Sequence, residues 1–149
     1  MVDAGELGRL IEPIVSGRAD MVNGSRRLGR SETTDAVRAA GVVVFAVLVS
    51  ILTGHRITDP ANGFRAFRPD IPAHVPLRQP QYQTSELLIG ALLLGYRVVE
   101  VPVTVRPRAA GRSKKGHNLL YGYRFGRAIV TTWWSFRKPG FEARGRPRP

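Results

Sequence analysis

Residues 39–53 restrict the fold more than any other stretch: fifteen positions, nearly all apolar, with Ser50 the one clear exception before Thr53. A membrane-crossing helix needs ~20 such residues, so this run is short for a span and reads as a buried or interfacial helix. It has too little polar face to lie alone on a water-facing surface. Either protein or lipid must cover it. The chain is 149 residues long, enough for one domain with a real core and too short for two ordinary ones.

The flanking segments point to an α/β layer rather than a helical bundle. Apolar residues Leu7, Leu10, Ile11, Ile14 and Val15 recur at helical spacing over 6–15, and Gly17 closes that helix. Residues 19–23 read as a short strand, 26–34 as a polar loop, and Asp35 as the N-cap of the apolar helix. Beyond it, Asp59-Pro60 and Asn62-Gly63 mark turns before a short strand at 64–67. Pro69, Pro72, Pro76 and Pro80 then predict a non-helical loop. Thr84 or Ser85 caps a helix that runs to Leu94 and stops at Gly95. The β-branched stretch 97–105 predicts a strand in which Pro102 demands an edge position or a bulge.

Charge is distributed unevenly. Of the formal +12, residues 1–105 carry 11 Lys/Arg against 10 Asp/Glu, whereas 106–149 carry 12 against one. A basic block of this kind is a surface for nucleic acid, an anionic membrane or a phosphorylated substrate. No zinc-ligand spacing, RNA-recognition aromatic motif or helix-turn-helix pattern is present, so nucleic acid is not read as the partner. The absence of cysteine excludes a disulfide framework and thiolate metal sites. Residues 1–10 carry Asp3, Glu6 and Arg9 and do not read as a signal peptide.

Residues 118–136 read as one helix. At about 100° per residue, Arg124, Arg127, Thr131, Ser135 and Lys138 share a sector, and aromatic and aliphatic residues including Trp133 and Trp134 fill the rest. Such a helix suits a membrane interface, or equally an edge helix whose broad apolar face packs on the core.

Several short motifs follow one another in order: Asp20-Met21-Val22 leading to Gly24-Ser25-Arg26, Asp59 ahead of Gly63-Phe64-Arg65, Glu86 opening a helix, Glu100-Val101-Pro102, and finally Arg108, Gly111, Ser113 and Lys114. Each alone is an ordinary turn, strand or basic loop. The ordered set resembles the C-terminal half of family 2 glycosyltransferases of the polyprenyl-phosphate type, such as dolichol-phosphate mannose synthase.

That resemblance implies a partial GT-A-like (Rossmann-like) α/β fold: a mixed sheet with flanking helices, lacking the N-terminal nucleotide-binding strands. Residues 1–117 would form the acceptor-side half of the domain, 118–138 the basic amphipathic helix, and 139–149 a disordered basic tail. The implied reaction moves a sugar from a nucleotide-sugar to a polyprenyl phosphate with inversion at the anomeric carbon. Arg26, Arg65, Arg108, Ser113 and Lys114 would hold phosphate groups, and Gly111 would let its loop fold over substrate. Asp59 would be the catalytic-site carboxylate near the acceptor, orienting the acceptor or Arg65 because a lipid phosphate scarcely needs a general base. Glu86 and Glu100 would be structural carboxylates paired with arginines. Mg2+ or Mn2+ would serve the complete enzyme, but Asp3-Ala4-Gly5 lacks the third-position carboxylate of an Asp-x-Asp motif, so no metal ligand is expected in this chain. The expected setting is the cytoplasm, peripheral on the inner face of an anionic membrane. The chain alone is then expected to be inactive and poorly soluble, with strand 19–23 left as an exposed sheet edge. A non-catalytic, membrane-peripheral module that binds lipid phosphate or a partner is the alternative.

Overall fold

The computed structural model describes residues 4–31, 36–105 and 118–138. Within them run α1 (Ala4–Val15), β1 (Met21–Ser31), α2 (Ala36–Thr53), β2 (Arg65–Phe67), α3 (Ile71–His74), α4 (Gln83–Leu93), β3 (Val98–Val105) and α5 (Asn118–Arg137). The strands form one mixed sheet in the order β2-β1-β3, with β1 antiparallel to β2 and parallel to β3. Helices flank this sheet, giving the partial Rossmann-like α/β architecture that the motifs imply. Asp35 and the tail 139–149 lie outside the described residues.

Successive side chains of a strand point to opposite faces, and burial follows that parity. Val22, Val99 and Val101 meet Leu10, Ile14 and Ala19 in a small core beneath α1. Met21 and Val98 face the other way, into a larger core with Val49, Leu88, Ile89, Phe125 and Ile129. Each large side chain fully buried there contributes about 1.5–3 kcal/mol.

The apolar run lies within α2, and described residues pack on one side of it. Ala46 and Val49 are buried, and Phe45 meets Phe125 edge-on with ring centroids 4.6 Å apart. Val43, Val44, Val47 and Ile51 stay exposed, Ile51 to 73%. No described helix is long and apolar enough to cross a membrane. The apolar side of α5 is divided in the same way. Phe125, Ala128, Ile129 and Thr132 face the core, while Tyr123, Val130 and Trp134 are exposed beside Arg124 and Arg127.

Four expectations need correction. The strand expected at 19–23 runs from Met21 to Ser31, so much of the expected polar loop is strand. Its outer part rejoins β3 at Arg30↔Thr104 after a register shift, and backbone pairing, not side-chain character, keeps it extended. Nor is β1 an exposed edge: β2 and β3 bond to its two sides. The proline-rich loop contains the one-turn helix α3, because Pro72 sits in its first turn, where a missing N–H costs nothing. Finally, neither Thr84 nor Ser85 caps α4. Tyr82 stands at that position with φ 64° and no side-chain cap bond, while the Ser85 hydroxyl donates to Pro60 O at 3.0 Å. A left-handed tyrosine costs on the order of 1–3 kcal/mol; its ring packs edge-on against Tyr121 and Phe125.

Other expectations hold. Gly17 and Gly95 take positive φ just beyond α1 and α4. Pro102 lies on an edge strand and next to a bulge, between its pairing with Ser25 and the shifted register that follows. At the start of the sheet, the Asp20 carboxylate accepts Arg97 N at 2.8 Å and the Arg97 and Arg68 guanidinium groups at 3.3 Å. Burial pushes this carboxyl up, but the Arg97 N–H, its guanidinium and Arg68 together hold it below the ordinary value. That cluster ties the start of β3 to β1.

Candidate anion-binding site

Along the regularly paired stretch of β1 and β3, polar residues replace apolar ones on a single face of the sheet. Asn23 and Ser25 follow Met21 at alternate positions of β1, and Glu100 follows Val98 on β3. The turn that carries Thr58 and Asp59 packs against these side chains.

Asp59 is fully buried, and its carboxylate grips Arg26. Oδ2 accepts the Arg26 backbone N–H at 3.0 Å and Nε–H at 2.8 Å, and Oδ1 accepts Nη2–H at 2.9 Å. This is a side-on fork, the strong planar mode of arginine–carboxylate pairing. The hydrogen bonds that Asp59 accepts raise the Arg26 pKa against the opposing effect of burial, and Tyr121 adds to the rise. The Arg26 side chain keeps 28% exposure. The fork uses Nε and Nη2, leaving the Nη1 side turned away from the carboxylate.

Glu100 holds the turn beneath this pair. It accepts Asn23 Nδ2–H at 2.9 Å, Thr58 N–H at 3.0 Å, Thr58 Oγ1–H at 2.8 Å and Asp59 N–H at 3.3 Å. Since the one hydroxyl proton of Thr58 goes to Glu100, Ser25 donates in the 2.5 Å Ser25–Thr58 contact and accepts Leu28 N–H at 3.3 Å. Asn23, also fully buried, donates to Asp59 O at 3.0 Å.

Arg65 braces the site from β2. Its Nε–H donates to Asn23 Oδ1 at 2.6 Å, Nη2–H to Pro60 O at 2.7 Å, and Nη1–H to Thr84 O. Burial pushes its pKa down to about 10, with Asp59 and Glu100 pulling the other way. It therefore remains a cation at neutral pH. Two carboxylates and two guanidinium groups share the network, and Asp59 bonds to Arg26, not Arg65.

The structure thus brings together Arg26, Asp59 and Arg65. Arg108, Gly111, Ser113 and Lys114 lie outside the described residues. Among the described residues neither glutamate pairs with an arginine side chain: Glu100 holds the Thr58–Asp59 turn, and Glu86 accepts the backbone N–H groups of Arg78 and Gln79 at 2.6 and 3.0 Å. Sequence reasoning gave no site role to Asn23, Ser25 or Thr58, although Ser25 stands in the Gly24-Ser25-Arg26 motif. The signal for the first two was parity: polar residues at alternate positions on a strand whose earlier inward residue is apolar. Among the described residues no three metal-ligand side chains cluster. Both site carboxylates are occupied by N–H and O–H donors, so these residues do not suit a metal centre.

A buried carboxylate thus fixes a partly exposed arginine, a planar fork of the kind that suits an oxyanion. The chain is 32% identical over 96 residues to a dolichyl-phosphate hexose transferase of Haloferax volcanii, an alignment covering 64% of this chain and 42% of the relative. It is 29% identical over 148 residues to an undecaprenyl-phosphate mannosyltransferase of Micrococcus luteus, covering 93% and 58%. A third relative, glycosyltransferase AglD of Haloferax volcanii, is 30% identical over 139 residues, covering 89% and 21%. The likeness to polyprenyl-phosphate glycosyltransferases that the ordered motifs suggest is therefore present along nearly the whole chain. The chain spans less than two thirds of the length of each of these relatives. No protein-family model matches it. No solved structure matches it.

Proposed function

We propose that this chain forms the acceptor-side half of a family 2, GT-A-type glycosyltransferase that moves a sugar from a nucleotide-sugar to a polyprenyl phosphate. The observation that carries this reading is the Arg26–Asp59 fork, placed just after the regular pairing of β1 with β3 ends at Ser25. In the reaction, an acceptor phosphate oxygen bonds to the anomeric carbon from the side opposite the departing nucleoside diphosphate, so configuration inverts. The attacking oxygen is already ionised near neutral pH and needs orientation more than a base. Fixed cations meet both needs, since they position the acceptor and offset charge growing on the leaving group. Arg26 is the cation this chain presents for that work, with Arg108, Ser113 and Lys114 proposed as further phosphate ligands and Gly111 as the pivot of their loop. Asp59 orients Arg26, and Arg65 supports the turn from behind.

The nucleotide-binding strands and the ligands for Mg2+ or Mn2+ are assigned to a part of the enzyme beyond this chain. The metal would supply Lewis-acid stabilisation of the diphosphate. Transfer of labelled sugar to polyprenyl phosphate tests the reading. The chain alone is expected to give none; joined to a nucleotide-binding half of about 90–110 residues, it is expected to give metal-dependent transfer. Continued inactivity of the joined protein with several nucleotide-sugars would count against it.

A membrane-peripheral position on the cytoplasmic inner face is proposed with it, whether or not the chain catalyses. The exposed Val43, Val44, Val47 and Ile51 of α2, and Tyr123 and Trp134 beside Arg124 and Arg127 on α5, support this. Apolar residues next to cations suit an anionic lipid surface. The chain is expected to pellet with phosphatidylglycerol vesicles at low salt and to be partly released as salt rises. Failure to pellet at every ionic strength would sink this part and, with it, the alternative of a non-catalytic lipid-phosphate module.

A further inference from the structure

We propose that Glu100 is the positioning residue that sets Arg26 for phosphate, acting through the turn it holds. This deepens the proposed function and rests on Arg26 being a phosphate ligand. Glu100 lies on β3, and its carboxylate hydrogen bonds go to Asn23, Thr58 and Asp59 and not to Arg26. Its carboxylate takes up the two successive backbone N–H groups of Thr58 and Asp59, the Thr58 hydroxyl and the Asn23 amide. Those bonds fix where the Asp59 backbone stands relative to β1. Asn23 doubles the constraint, since the same amide that donates to Glu100 donates to Asp59 O. Asp59, placed in this way, takes three hydrogen bonds from Arg26. The order runs from a strand carboxylate, through a turn, to a buried carboxylate and then to the presented guanidinium.

A carboxylate that merely filled space would need no such set of donors. Among the described residues, every hydrogen bond of the Glu100 carboxylate lands on Thr58, Asp59 or Asn23, the residues that locate the Arg26 clamp. Loss of an outer partner that orients a binding group typically weakens binding by about tenfold.

The test uses the full chain, with inorganic pyrophosphate as the probe and the Arg26 Nε–H resonance as a second readout. In the unaltered chain that proton should exchange slowly, and pyrophosphate binding should depend on Arg26, as Arg26→Ala would show. Glu100→Gln should weaken pyrophosphate binding about tenfold and abolish the slow exchange. Thr58→Val removes only the hydroxyl link and should give a smaller loss in both readouts, which keeps the test intact if Glu100→Gln fails to fold. Unchanged exchange at Arg26 in either folded variant overturns the positioning role. Pyrophosphate binding that is indifferent to Arg26→Ala overturns the phosphate-ligand reading instead, and the exchange measurement still decides whether Glu100 places Arg26.

Discussion

Asp59→Ala is expected to lower the unfolding free energy by about 3 kcal/mol, the low end of the cost of breaking a buried ion pair. Asp59 has no solvent exposure and accepts the Arg26 backbone N–H and two guanidinium N–H groups. Its loss leaves that backbone N–H without its acceptor and lets the guanidinium swing free. The retained exposure of Arg26, 28% of its side chain, allows water to recover part of the loss. That is why the low end of the range applies. Asp59→Asn keeps the shape and one good acceptor, so about half of that destabilisation is expected. Urea unfolding of the two variants checks both figures. A change under about 1 kcal/mol for the alanine variant would mean the pair contributes no more than a surface ion pair.

Gly29→Ala is expected to cost a similar amount for a purely steric reason. Gly29 lies within the irregular stretch where the β1–β3 register shifts between Ser25 and Arg30. A Cβ placed there falls 2.7 Å from the Val103 carbonyl carbon and 2.8 Å from its nitrogen. The obstacle is strand backbone, which cannot rotate aside as a flexible side chain would. Overpacking costs about 1–3 kcal/mol, and this geometry puts the change at the upper end. At this chain length about 3 kcal/mol corresponds to a fall of roughly 6–12 °C in Tm. A fall of less than about 2 °C in a thermal melt would show that the two strands separate there at little cost.

These two sites differ in how far the sequence revealed them. Asp59 and Arg26 stand in motifs whose order along the chain is distinctive, so both were candidates before any geometry. Their mutual pairing was not legible, because 33 residues separate them and Arg65 lies nearer in sequence. The outer half of β1 was hidden for another reason. Arg26, Arg27 and Arg30 give it the look of a loop, and only backbone pairing with β3 holds it extended. Similarly, Tyr82 replaces the expected Thr84 or Ser85 cap because tertiary packing of its ring outweighs local capping preference. The strongly patterned segments carried over well. The helices ended by Gly17 and Gly95, the last helix and the proline-bearing edge strand all follow from local spacing and backbone chemistry.

The alternation along β1 gives the core and the site a common clock. Met21 belongs to the large apolar core, while Asn23 and Ser25, two and four positions on, belong to the polar network on that same face. Val22 between them belongs to the small core beneath α1. Insertion or deletion of one residue before Met21 that shifted the strand would turn Asn23 towards α1 and aim Val22 at the large core. No compensating point change could restore one without the other. Residues of β1 can thus be exchanged one at a time, but a one-residue shift before Met21 disturbs the large core and the Asn23–Ser25 network together.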